Sequence, residues 1–262
     1  MRATECKNYD EVSDKAEYQD ARLGIDIGGT ETKFAVTDKE KIIYKKSIKT
    51  NRDSAEAIVD DIVCEYRDIS KRIPVRSVGI GVPGSAVGGY VTTDNLPFDN
   101  FPFSEALQSR IGVPIRIEND ANCAACGEWH MGIGKKYRNI VTVTIGTGIG
   151  GGVIINNRLC SGNGEFAEIG HMVIQAKNGE KCVCGRYGCF ERYASVSALI
   201  RQASDAAEKN TASRLYKFLK QNNFKLNGKQ FFDILDSGCR VCEKVFKEYI
   251  KWLLVGLKNI ES

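Results

Sequence analysis

An α/β protein built from two similar halves is what this sequence predicts, and three observations carry that expectation. Short apolar runs that read as buried strands alternate with segments of helical period. A strand, glycine–threonine turn, strand unit occurs twice, from Ile25 to Thr37 and again from Ile140 to Asn157, as two halves facing each other would require. The chain has 262 residues, which at about 100–200 residues per domain is one large domain or two modest ones.

In chain order, residues 1–22 are polar and charge-rich and form a leader. Leu23 to Ile27 reads as a buried strand, Gly28-Gly29-Thr30 as a turn, and Lys33 to Thr37 and Ile42 to Ile48 as two further strands. Asp53 and Glu56 are spaced as a capping box, and Ala55, Ile58, Val59, Ile62, Val63, Tyr66 and Ile69 follow at helical spacing. Val75 to Val82 is the next strand, ended by Pro83-Gly84. Val87 to Pro102 reads as loop, Ser104 to Arg110 as a short helix, and Val113 to Glu118 as a strand. Asn119-Asp120-Ala121-Asn122 then opens a helix to about Trp129. Ile140 to Ile145 and Val153 to Asn157 are strands flanking a glycine turn, and helices dominate after Ser195, the last from about Cys239 to Leu257.

Composition excludes several classes. Hydrophobic residues make up 42% and charged residues 27%, which rules out collagen, low-complexity coil and an acidic disordered tail. A net charge of 37 − 33 = +4 gives no case for a nucleic-acid partner. No run reaches the roughly 18 apolar residues that cross a bilayer; Ile140 to Ile155 is interrupted by five glycines. Without an apolar export segment near the start, a cytoplasmic, reducing compartment is expected, in which ten cysteines bind metal or do chemistry rather than pair.

The chemistry concentrates at four places. Asp26-Ile27-Gly28-Gly29-Thr30 is either a hairpin needing glycine for positive φ or an anion cradle whose Asp26 holds Mg²⁺ through water. Gly146 to Gly152 carries five glycines in seven residues, more than a hairpin needs. It is neither a P-loop nor a dinucleotide fingerprint. Asp120 stands where a strand end meets a helix start, as an N-cap or as an ionised base. His171 with Cys182, Cys184 and Cys189 forms a Cys₃His set with no open position, the composition of a structural zinc site. The alternative is a group of reduced buried cysteines. Glu165, Glu168 and Glu191 flank this loop and suit either solvent or sugar hydroxyls. The pairs Cys123/Cys126 and Cys239/Cys242 fall in helical patterns and read as packing rather than redox pairs.

These stretches, and above all the run from Cys182 to Glu191 after His171, resemble the ROK (repressor, open reading frame, kinase) family of sugar kinases from Leu23 to about Gln202. The resemblance implies two actin-like ATPase (ribonuclease H-like) domains around a cleft, at 23–132 and 133–262. It implies ATP phosphates at Asp26, Gly28, Gly29, Thr30 and Lys33 and at Gly146, Thr147 and Gly148, with Mg²⁺. Asp120 is the implied general base. Gly84, Asn95, Asn119, Asp120, Glu168, His171 and Glu191 are the implied sugar contacts. The expected reaction is phosphorylation of glucose or a close hexose at the 6-hydroxyl, or of an amino sugar such as N-acetylmannosamine. Family repressors carry a helix-turn-helix before the first glycine turn, where this chain has only 1–22, so no nucleic-acid or membrane partner is expected, and a homodimer is favoured. The family's final strand, adenosine-contacting turn and returning helix have no counterpart before Ser262, so the second domain is expected to be truncated. That leaves a sugar-binding regulator or pseudokinase as the alternative to an active kinase.

Overall fold

The computed structural model describes residues 18, 20–162 and 166–261. Most of the expected leader and Glu165 lie outside the described residues. Internal contacts divide the chain into two units, Met1–Ile140 with Val153–Phe166, and Val141–Gly152 with Ala167–Ser262.

The first unit is built on β1 (Ala21–Ile27), β2 (Glu31–Asp38), β3 (Lys41–Lys49), β4 (Ser77–Val82) and β7 (Ile115–Asn119), in the sheet order β3-β2-β1-β4-β7. The meander β1-β2-β3 is antiparallel, whereas β1-β4 and β4-β7 are parallel. Strand β1 alternates strictly: Ala21, Leu23, Ile25 and Ile27 are buried while Arg22, Gly24 and Asp26 face away. The buried face meets α1 (Ala55–Arg72), whose Ile58, Val59, Ile62, Val63 and Ile69 join Phe34, Val36 and Ile80 in one core. Ser54, not Asp53, caps this helix by accepting from the Ala57 N–H at 3.1 Å. The Asp53 N–H is engaged by Asn51 Oδ1, so the helix starts one residue later. Between β4 and β7 lie β5 (Ser85–Val87), β6 (Tyr90–Thr92) and α2 (Phe103–Gln108). The segment expected as loop therefore contains a short hairpin, turned by Gly88 and Gly89, both at positive φ, and pinned by buried Val91.

α3 (Asp120–His130) follows β7 without a loop. β8 (Ile140–Ile145), β9 (Ile149–Ile155) and β10 (Arg158–Leu159) form a sheet in the order β10-β9-β8. Strand β9 starts at Ile149, so Gly150, Gly151 and Gly152 belong to it and the turn is only Gly146 to Gly148.

The second unit is mainly helical: α4 (Glu191–Ala194), α5 (Val196–Glu208), α6 (Arg214–Gln221), α7 (Gly228–Asp236) and α8 (Arg240–Glu261). Helix α8 packs on α4, α5 and α7 around Phe190, Leu199, Phe231, Cys242 and Tyr249. Gly256 of α8 lies directly against the Phe190 ring, where any Cβ would overlap the ring carbons. Among the described residues no helix is long and apolar enough to cross a membrane.

Candidate functional site

In the first unit, three parallel strands end side by side. Asp26 of β1 pairs with Gly81 of β4, and Gly81 pairs with Glu118 of β7. Their carboxyl ends therefore present the Gly28 turn, Gly84 and Asp120 along one edge, where α/β sheets collect ligands. Helix α3 starts hard against β4: a Cβ on Gly81 would already be in van der Waals contact with Cys123 Sγ at 3.4 Å and Asp120 Cα at 3.7 Å.

Asn119 is the N-cap of α3, its side chain accepting from the Ala121 and Asn122 N–H groups at 2.9 and 3.1 Å. Asp120 is thus the first helical residue rather than the cap. Its Oδ1 accepts from the Ala121 N–H at 2.8 Å. Burial raises the Asp120 pKa; the Ala121 N–H opposes this and the neighbouring Asp26 carboxylate adds to it. The side chain is crowded by protein yet keeps solvent access, so a proton taken up there can leave. Asn119 Nδ2 donates to the Gly84 carbonyl at 3.0 Å, and Gly84, at φ +81, leaves no room for a Cβ beside Thr92. Gly84, Asn119 and Asp120 are therefore one cluster. Asn95 lies in the Thr93–Phe98 turn, two residues beyond the Thr93 that borders Gly84, with its carbonyl accepting from Arg52.

Neither glycine of the Gly28-Gly29-Thr30 turn takes a positive φ, and only Gly28 is needed for space. A Cβ on Gly28 would come within 2.9 Å of the Glu31 carbonyl, while Gly29 faces open space. Thr50 props the turn from the end of β3: its Oγ1 donates to the Gly28 carbonyl at 2.7 Å and its N–H to the Thr30 carbonyl at 3.0 Å. Lys33 Nζ is 3.5 Å from Asp26 Oδ2. An open glycine facing solvent beside two carboxylates suits a phosphate chain carrying a divalent cation.

In the second unit the turn is Gly146-Thr147-Gly148. The Gly146 carbonyl accepts from the Val196 N–H at the start of α5, at 2.9 Å. A Cβ on Gly148 would lie 2.8 Å from Glu191 Oε2. Glu191 Oε1 in turn is 3.3 Å from Cys182 Sγ and 3.8 Å from His171 Nδ1. Glu191 therefore connects the turn to the cluster of His171, Cys182, Cys184 and Cys189, whose ligand atoms all lie within 4.8 Å of one another. His171 Nδ1 is 3.5 Å from Cys182 Sγ, and Cys184 Sγ is 3.6 Å from Cys189 Sγ. Tetrahedral zinc with bonds of about 2.3 Å to sulfur and about 2.0–2.1 Å to nitrogen spaces its ligands about 3.5–3.8 Å apart. The donors match the ion in kind, and these two pairs match it in spacing. Burial pushes the Cys182 thiol up to about 12, a cost that a bound cation would offset. Glycines shape the loop: Gly185 and Gly188 take positive φ, and Gly188 leaves no room for a Cβ against the Gln175 carbonyl. Glu168 immediately precedes the 3-10 turn Ile169–His171, so it stands beside the cluster in sequence and in the fold.

Two supports escaped sequence reasoning. Glu118 Oε1 accepts from the Asn119 N–H at 2.9 Å and from Asn122 Nδ2 at 3.0 Å, which stiffens the cap carrying Asp120. Thr50 is the other. Neither lies in a glycine or cysteine motif, and only their position at a strand end marks them.

A family model described as the ROK family matches residues 22–261. The glucokinase of Streptomyces coelicolor is 35% identical over 247 residues, covering 92% of this chain and 77% of that protein. The xylose repressor of Bacillus subtilis is 36% identical over 196 residues, covering 71% of this chain and 51% of the repressor. A ROK family glucokinase from Streptomyces griseus, solved with glucose and AMPPNP, superposes with a TM-score of 0.77 at 33% identity, covering 92% of this chain and 78% of that one. With this fold and this Cys₃His cluster in hand, the chain belongs to the ROK family and is glucokinase-like.

Proposed function

We propose that the protein phosphorylates a hexose, glucose or a close relative, at its 6-hydroxyl using ATP. The observation that carries this reading is Asp120: a carboxylate freed from capping by Asn119, with its pKa raised, at the strand ends beside the Gly28 turn. A raised pKa makes Asp120 a better proton acceptor than an ordinary aspartate. The glucokinase relatives support the substrate class.

In the first unit, Asp120 would take the proton from the acceptor hydroxyl, while Asn119 and the backbone at Gly84 orient the sugar and Asn95 borders it. Gly28, Gly29 and Thr30 would offer N–H and hydroxyl donors to phosphate oxygens, with Lys33 and Asp26 alongside; Gly146, Thr147 and Gly148 would do the same in the second unit. Bound Mg²⁺ would neutralise charge on the phosphates, and Asp26 is the residue to hold it. In the second unit, Glu168, Glu191 and the free ring nitrogen of His171 would accept and donate hydrogen bonds to sugar hydroxyls. Zinc held by His171, Cys182, Cys184 and Cys189 would keep those groups in place structurally. Phosphoryl transfer of this kind is mainly positioning and electrostatics. An active, cytoplasmic homodimer of two domains, 23–132 and 133–262, is part of the same proposal.

The test is a coupled ADP-release assay over a hexose panel that includes N-acetylmannosamine. Asp120→Asn should cut turnover by a factor on the order of 10² or more with sugar affinity retained. Unchanged turnover removes Asp120 from the mechanism. A second reading, a sugar-binding regulator that transfers nothing, is favoured by the xylose repressor relatives. Calorimetry separates the two, since sugar heat without nucleotide heat supports the regulator.

A further inference from the structure

Two Cys-x-x-Cys pairs sit in helices, and their surroundings differ. Cys123 and Cys126 lie inside α3, past its first turn. Burial and then the Glu118 carboxylate push Cys123 up to about 12, and the same two causes raise Cys126. A thiolate is unwelcome there.

Cys239 and Cys242 are placed otherwise. Cys239 is the residue before α8, and its carbonyl accepts the first helical bond, from the Glu243 N–H at 3.0 Å. The backbone N–H groups of Cys242 and Val241 in the first turn of α8 and of Leu215 in the first turn of α6 favour a thiolate there. Desolvation alone would raise this thiol, but those donors and the adjacent Cys242 thiol hold it below the usual range. Cys242, fully buried, is pushed up to about 12 by burial and by its bond with Cys239. Cys239 also lines a cavity of about 640 Å³. Lys209, Arg214 and Arg240 line it too, and no acidic residue is among its walls. Residues three apart at the start of a helix have Cβ atoms roughly 5–6 Å apart, so closing a disulfide, which needs about 3.5–4.5 Å, requires Cys239, outside the helix proper, to shift towards Cys242.

We infer that Cys239 and Cys242 form a redox-active dithiol that exchanges with a low-molecular-weight disulfide of the glutathione class through this cationic cavity. The Cys239 thiolate attacks one sulfur of the small disulfide and breaks its S–S bond. The departing thiolate takes a proton, and Cys239 is left in a mixed disulfide. Cys242 then gives up its proton and attacks Cys239 Sγ, releasing the second small thiolate, which is protonated. Two protein thiols are oxidised and one disulfide is reduced to two thiols. Both thiols are buried, but Cys239, 4% exposed, borders the cationic cavity and is the attacking group; Cys242 is fully buried, does not line the cavity, and resolves.

The chain supplies a direct readout. Arg240 separates the two cysteines, so trypsin cuts between them and yields peptides 230–240 and 241–244. The wild-type protein is incubated with glutathione disulfide, alkylated and digested. The expected product is the two peptides joined, and separated again by a reductant. The cluster cysteines report on other peptides. In the reduced protein, iodoacetamide should alkylate Cys239 at least about tenfold faster than Cys123. Cys242→Ser should accumulate a stable mixed disulfide on Cys239, and if that variant does not fold, both wild-type measurements still decide. A Cys239 that reacts no faster than Cys123, or a wild type oxidised only as far as the mixed disulfide, overturns the inference.

Discussion

The two glycine–threonine turns share a sequence signature and are held by different means. Gly28 to Thr30 is propped by Thr50, a side chain of the same sheet. Gly146 to Gly148 is held by the first N–H of α5 and borders Glu191, which reaches the Cys₃His cluster. None of Gly28, Gly29, Gly146 and Gly148 takes a positive φ; a Cβ would crowd a neighbour at Gly28 and Gly148, whereas Gly29 and Gly146 face open space. The difference is in what each turn depends on. The first is self-contained in the β1-β2-β3 meander, and the second leans on α5 and, through Glu191, on the metal loop beside it.

Metal withdrawal should separate them most. Chelation, or Cys189→Ser, should cost the second unit on the order of several kcal/mol. Hydrogen exchange should then rise at 146–148 and 167–195 and stay unchanged at 23–50. Continued protection at 146–148 would break the comparison. Next in size is Gly28→Ala, whose methyl group meets the Glu31 carbonyl at 2.9 Å; a loss of about 1–3 kcal/mol is expected by urea unfolding. Gly29→Ala, facing open space, should leave the midpoint in place while raising KM for ATP. Gly148→Ala meets only the movable end of Glu191, so it should act on sugar KM more than on stability. Thr50→Val removes the prop under the first turn and should cost about 1 kcal/mol, with no effect on exchange at 146–148.

The smallest effect is a pH dependence confined to the first unit. The folded-state pKa of Asp120 lies above its unfolded value, chiefly through burial. The group therefore favours the fold when protonated, and that contribution is lost as pH rises through the folded pKa. Asp120→Asn should be no less stable than wild type at about pH 7, with the difference shrinking in acid, as urea midpoints across that range would record. A variant less stable at neutral pH would mean that the ionised carboxylate is supporting the fold.

The sequence made the meander, α1, the strand-to-helix step at Asp120 and the Cys₃His set legible, because each rests on spacing within a short window. The β5-β6 hairpin was not, since strands of three residues are too short to show alternation and depend on Val91 pairing with Phe101. Asp53 and Ser54 are both competent caps, and only the hydrogen bond from the Asp53 N–H to Asn51 decides between them. Packing accounts for part of the glycine run: a Cβ on Gly151 of β9 would collide with the Ala167 carbonyl and the Ile169 side chain. The link from Gly148 through Glu191 to Cys182 joins residues far apart in the chain, and no local pattern announces it.

Gly256 carries a practical consequence for anyone wishing to toughen this protein. Glycine inside a helix costs about 1 kcal/mol relative to alanine, so Gly256→Ala is the substitution a propensity table would recommend first. The added methyl would collide with the ring of Phe190, whose backbone neighbour Cys189 is a cluster thiol. The helix is weakened at one point so that an aromatic plug can seat there, and that plug is the next residue in the chain after one of the cysteines that would hold an ion.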